Sequence, residues 1–305
     1  MNFTQKTLTT LEFDKICEML ADCAPTAGAQ TLARRLTPSS DAVEVLRRQR
    51  RTTDARRLLE TKGMPPFGTV IDVADACERA VKGAVLSMRE ILDVGRLLRS
   101  ARQVGEYAKA NRTFETTLDE IFGRLLSNRH LEDSISRSII SEDMIADEAS
   151  RELAEIRRKI RESNNRIKET LQHYISGSYS KILQDNIVTM RNGRYVIPVK
   201  AECKNELKGL IHDTSSSGAT IFVEPMAVVD ANNELRMLHS KEEHEIERIL
   251  YSFSSDISAA SESLRLNYLN LTELAFLFTC AELSLRMGAV EPRISSEQTV
   301  ELRRA

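Results

Sequence analysis

Between Leu153 and Leu171 the apolar residues form one narrow stripe. Leu153, Ile156, Ile160, Ile167 and Leu171 recur at spacings of three, four, seven and four, close to the seam of a heptad repeat, with Ser163 and Asn164 interrupting it. The remaining positions of RELAEIRRKIRESNNRIKE form a solvated surface. A helix with so thin an apolar face cannot be wrapped by a globular core; one partner satisfies it. At 1.5 Å per residue, residues 149–172 would extend roughly 36 Å.

The partner stands further along the chain. Leu235, Leu238, Ile246, Ile249, Phe253, Ile257 and Leu264 build a second long amphipathic helix, with the outer face HSKEEHEIER. Two such helices flanking a compact segment predict an antiparallel pair that holds something at its tip.

Between residues 176 and 232 the pattern is that of strands. Ile187–Met190 is an apolar-rich run, Asn192-Gly193 is a two-residue hairpin signal because both residues tolerate positive φ, and Arg194–Lys200 continues as a second strand. Pro198 cannot donate to a ladder, which places its strand at an edge there. Leu207–His212 and Ala219–Glu224 read as a second pair, joined by Asp213-Thr214-Ser215-Ser216-Ser217-Gly218.

Three readings of that connection compete. A phosphate loop needs G-x-x-x-x-G-K-[ST] ahead of a helix, whereas Gly218 is followed by Ala219-Thr220 and a strand. A serine nucleophile helped by His212 and Asp213 meets the difficulty that neighbours on a strand point to opposite faces. A turn whose hydroxyls bond the local backbone and whose glycine supplies the unusual φ requires nothing further, and leads.

Composition bears on the choice of partner. The chain has 305 residues, enough for two domains, and 41% hydrophobic residues supply a core. Lys and Arg number 43 against 45 Asp and Glu, so no net field draws the chain toward nucleic acid, and any polyanion site must be local. Arg191, Arg194, Lys200, Lys204 and Lys208 bring five cations into eighteen residues, partly offset by Glu202 and Glu206. Such a group can grip phosphates without reading bases, with an affinity that falls steeply in salt. Tyr195 could stack on a base, although strand tyrosines are commonly half buried.

Ahead of this region, helix follows helix. Leu11, Ile16, Met19 and Leu20 keep helical spacing, Thr26 reads as an N-cap, and Pro38-Ser39-Ser40-Asp41 introduces a long helix from about Ala42 to Glu60. Arg47, Arg48, Arg50, Arg51, Arg56 and Arg57 on that helix invite a nucleic-acid reading, but Glu44, Asp54 and Glu60 make a solvated, ion-paired face the simpler one. Leu86-Ser87 opens another helix with Ile91, Leu92, Val94, Leu97 and Leu98 on its apolar side. From Ile135 to Ile145 the alternation of Ile135, Arg137 and Ile139 with serines predicts a short strand and turn.

The five cysteines lie apart without any C-x-x-C, and the five histidines never form H-x-x-x-H, so neither a disulfide framework nor a metal site is expected. The start MNFTQKTLTTLEF lacks a signal-peptide pattern, and no window approaches the roughly 18 apolar residues of a membrane span. A cytoplasmic protein without a membrane partner is the expectation. Neither a paired-carboxylate site nor a nucleophile with its base stands out, so no catalytic residue is nominated.

Three stretches are long enough to carry a resemblance: LQDNIVTMRNGRYVIPVKAECK (Leu183 to Lys204), GLIHDTSSSGATIFVEPMAVVDANNEL (Gly209 to Leu235), and the amino-terminal LEFDKICEML with AVKGAVLSMREILD. Together they resemble the second branch of the bacterial MutS-like family, endonuclease MutS type two, over essentially the whole chain. The resemblance implies a mainly α fold with a small β-rich insertion: a helical core domain and two antiparallel lever helices carrying a β clamp. On this scheme residues 1–134 begin the core, 135–176 hold the strand, turn and ascending lever, 177–232 the clamp, 233–268 the descending lever, and 269–305 the return to the core. It further implies an ATPase domain following near VELRRA, dimerisation around nucleotide, and often a terminal nuclease domain. ATP and magnesium are thereby expected only outside this chain, and no cofactor within it. The implied partners are branched or stalled DNA, where such proteins suppress recombination, or the RNA of collided ribosomes. An arm that transmits nucleotide-driven motion without touching nucleic acid is the alternative expectation.

Overall fold

The computed structural model describes residues 4–110, 114–295 and 301. In chain order its elements are α1 (Gln5–Thr10), α2 (Phe13–Ala21), α3 (Ala27–Arg34), α4 (Ala42–Lys62), α5 (Ala74–Val81), α6 (Met88–Lys109), α7 (Asp119–Gly123), α8 (Arg129–Ser138), β1 (Ile139–Ser141), β2 (Met144–Ile145), α9 (Arg151–Ser176), β3 (Thr189–Arg191), β4 (Arg194–Lys200), β5 (Gly209–Thr214), β6 (Thr220–Pro225) and α10 (Met226–Arg286). The fold is mainly α with a small β-rich insertion, as the periodicities predict. Two compact units divide the chain: Met1–Met144 with Tyr251–Ala305, and Ile145–Leu250.

In the first unit the helix starts are fixed by the residues that the sequence marks as caps. Thr26 Oγ1 accepts from Ala29 N–H at 3.2 Å and Asp41 from Val43 N–H at 2.9 Å, while Ser87 and Glu90 form a reciprocal capping box ahead of α6. Along α6, Ile91, Val94, Leu97, Leu98, Ala101 and Val104 turn one buried face inward. Phe278 of α10 is fully enclosed, with the rings of Phe67 and Tyr107 set edge-on at 6.1 and 6.2 Å. The arginines of α4 largely have partners. Arg47 and Arg48 meet Glu44, Arg51 meets Glu273 at 2.8 Å, and the Arg57 guanidinium lies 3.9 Å from the centre of the Phe114 ring. This is the ion-paired face of the simpler reading, with Arg51 adding a tertiary bond.

One expectation is corrected here. Ile135 and Arg137, read as the start of a strand, belong to α8, and only residues 139–141 and 144–145 are extended. Leu131, Ile135 and Ser138 share the buried side of α8 at spacings of four and three, so the helical period prevails over an alternation that was only three residues deep.

In the second unit α9 buries Leu153, Ile156, Ile160, Ser163, Ile167, Leu171 and Ile175, the expected stripe extended by one turn. The first part of α10 runs antiparallel to it. Ser150 reaches Glu245, Arg157 reaches Glu242 and Arg166 reaches Glu234, partner numbers falling as α9 advances. Residues 226–232, read with the strands, are helical instead: Pro225 ends β6, and Val228 and Leu235, seven apart, already face the apolar side. No break in α10 marks residue 268.

The four strands of this unit lie in the order β3-β4-β6-β5, every neighbouring pair antiparallel. Asn192 and Gly193, with φ of 51° and 74°, turn β3 into β4 as the sequence predicts, although β3 covers Thr189–Arg191 rather than Ile187–Met190. Pro198 lies beyond the reach of β3, which pairs only with Arg194–Val196. On that open side the Pro198 carbonyl accepts from Gln184 N–H at 3.0 Å, so the missing donor falls at a local edge. Strands β4 and β5 are parallel across β6, and residues 201–208 cross over between them. Leu207 is buried in the core that Ile197, Val199, Ile221 and Val223 share with α9 and α10, which puts the crossover on that side of the sheet.

Candidate nucleic-acid interface

The strand register assigns each residue of the sheet to a face. Tyr195, Ile197 and Val199 pair across to the face of Ile221 and Val223, which carries the core. Arg191, Arg194, Val196, Pro198 and Lys200 fall on the opposite face with Thr220, Phe222 and Glu224. Three of the five cations nominated from sequence thus share a face, while Lys204 and Lys208 lie on the crossover.

The centre of that second face is Glu224, whose side chain is 0% exposed. A carboxylate cannot be held out of water unpaired. Arg194 Nη1 donates to both of its oxygens at 2.8 and 3.0 Å, His212 Nε2 lies 2.5 Å from Oε2, and Asn232 Nδ2 donates to Oε1 at 2.7 Å. A bulge in β5 at His212 makes this possible, since the extra residue between Ile211 and Asp213 shifts the register against β6. Asn232 also stands in for a strand. Its Oδ1 accepts from Tyr195 N–H at 3.1 Å and its Nδ2 donates to the Tyr195 carbonyl at 3.2 Å, satisfying main-chain groups beyond the last β4–β6 pair, Ile197 and Val223.

The five nominated cations therefore differ in circumstance. Arg194 is committed to Glu224, and its Nη2 also donates to Asn233 Oδ1 at 2.5 Å. Arg191 lies 3.3 Å from Asp213 and stacks 4.1 Å from the centre of the Phe222 ring. Asn192 next to it donates to the His212 carbonyl at 3.4 Å, so the β3–β4 hairpin folds across β6 toward β5. Lys200 is half buried and donates to the Lys181 carbonyl at 3.1 Å. Lys204 and Lys208 are exposed, and their ammonium groups have no partner among the described residues. Lys200 stands opposite Thr220 at one end of the sheet, whereas Arg194 and Lys208 stand at the end where Pro225 leads into α10. Tyr195 is half buried against the core.

The serine stretch closes on itself. Ser215 N–H donates to Thr220 O and Gly218 N–H to Ser215 O, both at 2.9 Å, and Ser215 Oγ accepts from Thr220 N–H at 3.1 Å. Gly218 has φ 72°. These are the local hydroxyl bonds and the glycine conformation of the turn reading. His212 and Asp213 are engaged by Glu224 and Arg191, and neither side chain is hydrogen-bonded to a serine among the described residues. The turn joins two antiparallel strands and contains no lysine, so its donors do not form a cradle for nucleotide phosphate.

Sequence reasoning missed Glu224, His212 and Asn232 as a group. The available signal was a glutamate alternating with Ile221 and Val223, hence on the face away from the core. Its partner Arg194 lies thirty residues earlier, beyond any local pattern. Elsewhere, a cleft of about 800 Å³ in the first unit is lined by apolar side chains such as Phe13, Leu36, Val45 and Phe276 together with Arg48, Arg56, Arg57 and Glu60, and the buried Gln49 Oε1 atom has no hydrogen-bond partner among the described residues. Among the described residues, no group of three or more His, Cys, Asp or Glu is placed to hold a metal, and no helix is long and apolar enough to cross a membrane.

No family model matches the chain. Among curated proteins it is similar to endonuclease MutS2 of Acetivibrio thermocellus, 43% identical over 300 residues. It is also similar to the proteins of that name from Alkaliphilus oremlandii, 39% identical over 303 residues, and Symbiobacterium thermophilum, 38% identical over 300 residues. These alignments cover 97%, 98% and 98% of this chain, and in each case 38% of the relative. The chain thus spans well under half the length of the curated relatives it matches.

Proposed function

The chain belongs to the endonuclease MutS2 branch of the MutS-like family, and on that premise we propose that it is the nucleic-acid-engaging part of a MutS-like ATPase. In this reading α9 and the first part of α10 are lever helices and the four-stranded sheet is the clamp. Lys200, Lys204 and Lys208 meet phosphate, while Arg191 and Arg194, engaged by Asp213 and Glu224, brace the sheet. The partner is branched or stalled DNA, in the service of repair and suppression of recombination, or the RNA of a collided ribosome. ATP binding with magnesium, dimerisation and any strand cleavage are assigned to the length of the relatives that this chain does not span.

The observation that carries the reading is the root of α10 in the sheet. Asn232 bonds both Glu224 and the Tyr195 main chain, so a load on the sheet enters a helix of 61 residues without interruption. A helix rooted in the sheet by buried polar bonds is suited to taking up such a load.

A second reading is favoured by a specific observation. Residues 177–225 hold six basic and five acidic side chains, and two of the basic ones are in ion pairs with Asp213 and Glu224. A sheet so nearly neutral also suits an arm that contacts a protein and only transmits motion. Gel shifts of the chain with branched DNA, structured RNA and ribosomes separate the two. A salt-sensitive shift with bare nucleic acid supports the clamp; no affinity for either bare nucleic acid removes it in favour of the arm.

A further inference from the structure

We propose that the helical pair of the second unit contains a joint at the level of Ser163 and Ala231, a place where α9 opens more readily than on either side. It holds whether or not the sheet touches a polyanion.

The seam is well filled above and below this level. Alpha-9 contributes Ile156, Ile160, Ile167, Leu171 and Ile175, and α10 contributes Val228, Leu235 and Leu238, all buried in one core. Between them Ser163, 4% exposed, faces Ala231, with its Oγ 3.5 Å from the Ala231 carbonyl at the outer limit of a hydrogen bond. Both helices are small at this one layer, so little apolar surface is removed from water there.

The backbone is weak at the same level. Ser163 is followed by Asn164-Asn165 and Ala231 by Asn232-Asn233, and serine and asparagine are poor residues for a helix interior. The α10 asparagines are tied to the sheet, since Asn232 serves Tyr195 and Glu224 and Asn233 accepts from Arg194. No such tether holds the α9 asparagines among the described residues, and the Arg166–Glu234 pair beside them joins two exposed side chains, 61% and 49%, where an ion pair adds little.

Both flanks are stiff. Toward the base, Arg157 donates to Glu242 at 2.6 Å and to Asp147 at 2.7 Å, and Ser150 donates to Glu245 at 2.6 Å. Toward the sheet stands the Glu224 cluster. Local opening concentrates where apolar burial and helix propensity are both lowest, so the sheet-bearing end tilts about Ser163–Asn165 while the base stays clasped.

Hydrogen exchange on the whole chain tests the joint. Amides of residues 163–167 should exchange faster than those of 155–160 and 169–173. In the Asn164→Ala/Asn165→Ala variant they should slow roughly tenfold, the effect of two asparagine-to-alanine steps in helix propensity, with the flanks unchanged. Protection that is uniform along α9 or that declines only from its ends, or exchange at 163–167 unaltered in the variant, would overturn the proposal.

Discussion

The side-chain amide of Asn232 donates to the buried carboxylate of Glu224 across 2.7 Å. Glu224 is the penultimate residue of the last strand and Asn232 lies in the second turn of the helix that follows. The strand-to-helix corner at Pro225 is thereby fixed by a polar bond inside the fold, and Arg194 and His212 complete the shell around the same carboxylate.

Removing the hub should unravel this corner. Glu224→Ala leaves the Arg194 guanidinium without its counter-ion in a half-buried place, and breaking a buried pair from one side costs about 3–5 kcal/mol. Asn232→Ala orphans buried groups at about 1–3 kcal/mol. Urea unfolding followed by circular dichroism should rank Glu224→Ala below Asn232→Ala, and both below the parent. Equal stability of all three would mean the cluster is not needed.

Gly209 is required for close approach. A Cβ there would collide with the Glu224 carbonyl oxygen and lie 2.6 Å from Val223 Cγ1, and backbone cannot yield as a flexible side chain does. Gly209→Ala should cost about 1–3 kcal/mol, the range for overpacking. The thermal midpoint reports it, with Gly105→Ala inside α6, whose Cβ would meet nothing within 4 Å, as the control that should raise the midpoint rather than lower it.

The base of the helical pair should loosen in acid. Hydrogen bonds from Arg157 and then Arg161 hold the Asp147 carboxyl below its usual range, and Glu245 is held low chiefly by Arg248, with Ser150 assisting, against the opposing pull of burial. Both folded values lie beneath the unfolded ones. Their contribution is therefore complete above the unfolded values of about 4 and is lost as pH falls below that through the folded values. Melting curves should show a flat midpoint above about pH 5 and a decline below about pH 4, with a shallower decline in Glu245→Gln. A midpoint that rises on acidification would contradict the assignment.

Much of this was legible in the sequence because the signals were local or periodic. The stripe Leu153–Leu171, the Asn192-Gly193 turn, the caps Thr26, Asp41 and Ser87, and the strand Arg194–Lys200 are all set by neighbours within a few residues. Ile135 was misread because a helical and an alternating pattern coincide over so short a run. The start of α10 at Met226 was hidden because only Glu224 and Pro225 separate the β-branched run of β6 from the apolar Met226, Ala227, Val228 and Val229. Arg191 and Arg194 looked like free cations because Asp213 and Glu224, which engage them, are brought near only by strand pairing and the bulge at His212.

The most direct test of the proposed clamp is the salt dependence of binding to branched DNA and to structured RNA, for the parent chain and for Lys200→Ala/Lys204→Ala/Lys208→Ala. If these lysines each meet a phosphate, the slope of log K against log salt should shrink by about 3 on duplex DNA and about 2 on single strands, while the melting midpoint barely moves. An unchanged slope in a folded variant, or a parent chain that binds neither polymer, would contradict the clamp.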